Sequence, residues 1–220
     1  MKRAALLALL LILSAVFCSQ AFADTFPLDP SEVNGFDRRF MHSYNQILDN
    51  TATALEVVSL LTPAVLLSED TDQYLKIGVM YLETAAIAFG TRTVLKHLVE
   101  RPRPYMYYDG YPQEDDWNRS FPSGHSLMSF AGASFASYVF CKYNPGSRWN
   151  IPVTVASYAI AAATAALRVA SGNHFATDVL AGAAIGTAIG IGVPALHTLF
   201  ADQDLEVSAS PFGLVFRKSF

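Results

Sequence analysis

Five apolar stretches run along the chain, at about 52–67, 75–95, 123–141, 150–168 and 177–200. Trp149 to Leu167 and Val179 to Ala201 contain no charged residue. Each is long enough to cross the ~30 Å hydrocarbon core, which takes about 20 helical residues. Ser120 to Cys141 is also free of formal charge and holds one histidine, His125. Glu56 interrupts the first stretch, and Lys76, Glu83 and Arg92 interrupt the second. The pattern predicts an all-α bundle of about five to six helices that spans a membrane. A soluble helical bundle with a large apolar core produces the same pattern. After residue 203 the period changes. Leu205, Val207 and Ala209 alternate with Glu206, Ser208 and Ser210, Pro211 to Gly213 reads as a turn, and Leu214 to Phe216 as a second strand. This predicts a short C-terminal β-hairpin.

The first residues form a separate unit. Lys2 and Arg3 precede an apolar run, Ala4 to Phe17, broken by Ser14, and Ala21-Phe22-Ala23 follows. This is the pattern of a bacterial signal peptide over 1–23, with an uncleaved first membrane helix as the alternative. The division is then 1–23, a helical domain 24–202 and a tail 203–220. Composition agrees with a membrane-associated chain: of 220 residues, 52% are hydrophobic and 15% charged, with a mean hydropathy of +0.28. Soluble domains average about 25% charged residues. The net charge of -4 excludes a nucleic-acid partner. Two cysteines make no disulfide framework, and Cys141 reads as core.

Charge placement sets the expected topology. With the mature N-terminus outside, 96–122 and 169–177 lie outside, and 68–74 and 142–148 inside. Lys142, Arg148, Arg217 and Lys218 then obey the positive-inside rule. Lys96, Arg101, Arg103 and Arg119 break it, and a site for an anion would supply the reason.

Three clusters carry chemistry. In Lys96 to Pro104 (KHLVERPRP), prolines end the second apolar helix and hold Arg103 in an extended segment, so cations gather beyond the helix end. In Phe121-Pro122-Ser123-Gly124-His125, Ser123 suits an N-cap and Gly124 allows close approach to the backbone. The first amides of the following helix then favour an oxyanion, with His125 beside it. In Arg168 to Asp178 (RVASGNHFATD), His174 and Asp178 stand four apart on one helix face. A carboxylate there can take one ring N–H and leave the other nitrogen as nucleophile or base. No Walker loop, HExxH, GxGxxG or GxSxG is present. Three cations, a helix start, two histidines and one carboxylate suit a phosphate group without a metal.

Read together, Lys96-x6-Arg103-Pro104, Pro122-Ser123-Gly124-His125 and Arg168-x5-His174-x3-Asp178 resemble the three-part signature of the type 2 phosphatidic acid phosphatase family. The superfamily also holds bacterial class A acid phosphatases and vanadium haloperoxidases. Leu167 departs from the serine that usually precedes the arginine, and Arg101-Pro102 offers a second Arg-Pro pair. The family spacing selects Arg103. The resemblance implies a metal-independent, cofactor-free phosphatase. His174 would form a phosphohistidine, Asp178 would orient it, and His125 would protonate the leaving group and then activate water. Lys96, Arg103, Arg168, Ser123 and Gly124 would hold the phosphate oxygens. Arg101 and Arg119 would add to the field or bind a second phosphate. The implied substrate is a lipid phosphate or pyrophosphate at the periplasmic face of the inner membrane. A soluble periplasmic acid phosphatase is the alternative. His42, His97 and His197 read as structural, and Glu83 and Arg92 as a pair within the bundle or as groups facing a cavity. Tyr105, Tyr107, Tyr108, Tyr111 and Trp117 read as an interfacial aromatic rim.

Overall fold

The computed structural model describes residues 26–68, 71–201, 205–210 and 213–218. The signal segment 1–23 lies outside the described residues. Each apolar stretch falls on one long helix. After a short helix α1, Gly35–Arg38, come α2 (Gln46–Leu61, continued by a 3-10 segment Thr62–Ser68), α3 (Thr71–Leu98), α4 (Gly124–Tyr143), α5 (Asn150–Ala170) and α6 (Ala176–Ala201). Polar caps fix several starts. Asn45 Oδ1 accepts from Leu48 N, and Ser123 Oγ accepts from Ser126 N at 3.4 Å. The proline-rich segment after Leu98 cannot continue α3 and forms a 3-10 turn, Pro104–Tyr107. In the tail, β1 (Leu205–Ser210) pairs antiparallel with β2 (Gly213–Lys218).

Helix α4 is the axis of the bundle. Fourteen of its 20 residues are buried, and α2, α3, α5 and α6 all pack on it. Its tightest neighbour is α6. Gly182, Gly186 and Gly190 recur every four residues along the shared seam. A Cβ at Gly182 would lie 2.6 Å from the Ser123 carbonyl oxygen, and one at Gly186 or Gly190 would collide with the carbonyl of Leu127 or Ala131. Small residues at this spacing let helix backbones approach closely. The seam brings the two helix starts together, and Ser123 N donates to Asp178 O at 3.1 Å.

The outer helices leave large apolar side chains uncovered, among them Leu75 (80% exposed), Leu82 (70%), Ile151 (77%) and Leu180 (59%). Among the described residues, two helices are long and apolar enough to cross a membrane, Asn150–Ala170 and Ala176–Leu199. The other three expected spans do not meet that measure. Helix α2 is too short at 16 residues, charged residues dilute α3, and serines dilute the enclosed α4.

Glu83 and Arg92 do not pair. Nine residues of helix put them on opposite faces. Glu83 Oε2 instead meets His197 Nε2 at 2.5 Å, and Arg92 lies beside Gly124. The aromatic rim also needs correction. Tyr105 and Tyr107 are buried with Leu28, Val33, Met41, Met106 and Phe175 in a cap over one end of the bundle, and Trp117 and Tyr111 pack against its edge. The loop needs these rings as a core of its own, because no helix covers it.

Candidate active site

Helix ends converge under this cap: the C-termini of α3 and α5, the N-termini of α4 and α6, and the first half of α2. Between α5 and α6 the chain turns through Gly172, at φ 73°. A side chain there would be strained, and its Cβ would strike the His42 carbonyl. The turn delivers His174 into the interior, 1% exposed.

His174 Nδ1 lies 2.7 Å from the Ser120 carbonyl oxygen. A carbonyl only accepts, so Nδ1 carries the proton and Nε2 keeps its lone pair. Asp178 Oδ2 stands 3.8 Å from Nδ1, beyond direct hydrogen-bond range. The expected direct carboxylate–imidazole bond is therefore replaced by a relay. Asp178 accepts from Ser120 Oγ (2.5 Å), Phe175 N (2.9 Å) and Arg101 Nη1 (2.5 Å). A carboxylate buried in the first turn of a helix takes these three donors, and in fixing Ser120 it fixes the carbonyl that holds the ring. Complete burial, with Arg103, Arg168 and Lys96 around it, holds the His174 imidazole well below the usual histidine range. The ring favours its neutral form.

The cations of the three motifs face this ring, each tethered by the protein. Lys96 Nζ donates to Arg119 O at 2.6 Å. Arg103, 5% exposed, reaches Asn173 O at 3.3 Å and pairs with Asp116. Arg168 pairs with Asp49, yet its Nε is buried without a hydrogen-bond partner. An unsatisfied buried donor costs about 1–3 kcal/mol, so this one is ready for an incoming oxygen. Arg101, the rival for the Arg-Pro position, is committed elsewhere. It pairs with Asp37 (2.7 Å) and Asp178 (2.5 Å), and its guanidinium lies 4.0 Å from the centre of the Phe175 ring. It braces the site, and the side chain of Arg119 is exposed. Asp37 is buried against its charge, but bonds from Thr177, Arg101 and Asn34 outweigh that and hold its carboxyl below the usual range.

At the start of α4, a Cβ on Gly124 would lie 2.6 Å from Arg92 Nε. Glycine therefore admits the Arg92 guanidinium to the helix start, next to the Ser123 cap. His125 Nε2 lies 3.1 Å from Thr53 Oγ1 and 3.3 Å from Glu56 Oε2, both on α2. A proton on His125 would disfavour one on His174. All eight residues expected from the motifs thus gather at one end of the bundle.

The PAP2 superfamily model matches residues 77–201, more than half of the chain. The chain belongs to the PAP2 superfamily. Phosphatidylglycerophosphatase B of Bacillus subtilis is 35% identical over 105 residues, which cover 46% of this chain and 50% of that protein. Lipid A 1-phosphatase of Porphyromonas gingivalis is 38% identical over 71 residues, covering 32% of this chain and 15% of that one. The chain thus spans no more than about half the length of the curated relatives it matches. The crystal structure of the transmembrane PAP2 type phosphatidylglycerolphosphate phosphatase from B. subtilis superposes with a TM-score of 0.61 at 23% identity, over 89% of this chain and 96% of that one. The fold is shared.

This PAP2 site also uses residues the motifs do not contain. Asp49, Thr53 and Glu56 stand four and three apart on α2, so one polar face of that helix meets Arg168 and His125. That spacing was visible in the sequence, as was the i,i+4 pair of Arg92 and Lys96. Ser120 and Asp37 gave no signal, because their roles exist only once remote segments meet.

Proposed function

We propose that this protein is a metal-independent phosphatase that hydrolyses the phosphomonoester or pyrophosphate of a membrane lipid through a phosphohistidine on His174. The observation that carries the reading is the tautomer of His174. With Nδ1–H held by Ser120, Nε2 is a neutral nucleophile facing cations that a bound phosphate would satisfy. Lys96, Arg103 and Arg168 neutralise the equatorial oxygens, and the Ser123–Gly124 helix start adds its dipole. Positioning and charge stabilisation of this kind carry most phosphoryl transfer. His125 protonates the leaving oxygen and, once neutral, takes a proton from the water that opens the phosphohistidine.

The lipid substrate is supported by the uncovered apolar side chains of the outer helices and by the printed activities of the relatives. The site lies at the bundle end opposite the Lys142–Arg148 loop. With that loop cytoplasmic by the positive-inside rule, the site faces the periplasm. Purification from carbonate-washed membranes, followed by phosphate release from dioctanoyl phosphatidylglycerophosphate and from p-nitrophenyl phosphate, tests this. We expect turnover that survives EDTA, is inhibited by vanadate as a pentacoordinate mimic, and prefers the lipid. An absolute need for Mg²⁺ contradicts the mechanism. Recovery in the soluble periplasmic extract favours the soluble acid phosphatase.

A further inference from the structure

The wall that faces His125 comes from α2, which lies outside the matched residues 77–201. Two of its side chains meet the same ring nitrogen. Thr53 Oγ1 is 3.1 Å from His125 Nε2 and donates its single proton to Asp49 O at 3.2 Å. With that proton on the carbonyl, it accepts from the ring. Glu56 Oε2, 3.3 Å from the same nitrogen, is also an acceptor. A carboxylate at this distance favours a proton on Nε2, and a protonated ring then has its Nδ1 proton to give. Burial of the ring first, and then Arg92 and Lys96 from α3 and Arg103 from the loop, act against a charge on His125, and His174 stands opposite. Cations gathered for a phosphate oppose the imidazolium that must protonate the leaving oxygen. Glu56 is the acid that offsets them. Its own side chain is only 15% exposed, and Arg92 faces it as a counter-charge.

We propose that Glu56 is a positioning residue for the general acid, its carboxylate beside His125 Nε2 favouring a proton on the ring until the leaving oxygen departs. The role rests on the phosphatase reading above. As the bond from phosphorus to the leaving oxygen breaks and that from phosphorus to His174 Nε2 forms, the His125 Nδ1 proton moves to the leaving oxygen. The neutral ring then accepts a proton from the attacking water as the phosphohistidine opens.

A poor leaving group needs the acid, and a good one does not. The test is kcat/KM of wild type, Glu56→Gln and Glu56→Asp on dioctanoyl phosphatidic acid, which releases an alkoxide, and on p-nitrophenyl phosphate. Glu56→Gln should lose about 10²-fold on the lipid and less than about threefold on the aryl ester. The alkaline limb of its lipid pH profile should move to lower pH. Glu56→Asp should recover part of the loss, and it carries the same comparison if the amide variant does not fold. Equal losses on both substrates, or none on either, would overturn the role. His174→Ala run alongside separates the two claims. If wild type is no faster than His174→Ala, the phosphatase reading falls and the role of Glu56 with it. If wild type is active and the losses are equal, only the role of Glu56 falls.

Discussion

The two histidines of this site live in opposite surroundings. His174 is 1% exposed, is held at Nδ1 by a backbone carbonyl, and looks out on Lys96, Arg103 and Arg168. The His125 side chain is 22% exposed, and a carboxylate stands 3.3 Å from its Nε2. Burial and cations act against a proton on both rings, and the contrast lies in the partner each ring meets, a neutral carbonyl at His174 and a carboxylate at His125. On the proposed mechanism the nucleophile and the acid differ in what the fold puts behind each ring, although both are histidines within a shell of the same cations.

Removing the nucleophile breaks the comparison with the largest effect. His174→Ala should lower kcat by at least about 10³-fold on lipid and aryl substrates alike, read as phosphate release. Leaving-group chemistry cannot rescue the loss of the attacking atom, in contrast to loss at Glu56.

The electrostatics give a smaller, signed effect. His174 reacts as the neutral base, and its proton affinity is depressed. The acid limb of kcat/KM should therefore lie below the ordinary histidine value of about 6.5. Lys96→Met removes one cation and should move that limb to higher pH, besides weakening phosphate binding. A limb that stays in place would show that Lys96 adds nothing to the depression by burial, Arg103 and Arg168.

The smallest effect should come from Ser120→Ala. It removes one hydrogen bond to Asp178 and keeps the carbonyl on His174. A loss of about 3–10-fold in kcat follows if that bond contributes the ~0.5–1.5 kcal/mol typical of its kind. Asp178→Asn, measured beside it, should cost more, because it also disturbs the pairing with Arg101.

Much of this was legible in the sequence where local order sufficed. Five apolar stretches became five long helices, and the eight residues drawn from the three motifs gather at one end of them. What stayed hidden depends on contacts between remote segments. The bond of His174 to Ser120 rather than Asp178 spans 54 residues and uses a backbone group, which no side-chain pattern reveals. The embrace of Arg101 by Asp37 and Asp178 joins positions on three segments, so spacing alone could not tell a brace from a phosphate ligand. The glycines of α6 and the polar face of α2 were periodic signals. Hydrophobicity dominates the reading of such stretches, and their periods matter only once α4 is known to be the partner.

The central claim is that His174 Nε2 attacks phosphorus. Rapid quenching of the enzyme with a ³²P-labelled lipid phosphate, followed by mapping of the label, tests it most directly. The account predicts acid-labile, base-stable label on the peptide carrying His174, at up to one equivalent in the first turnover and absent in His174→Ala. Full turnover with no labelled enzyme, or label on another residue, would contradict it.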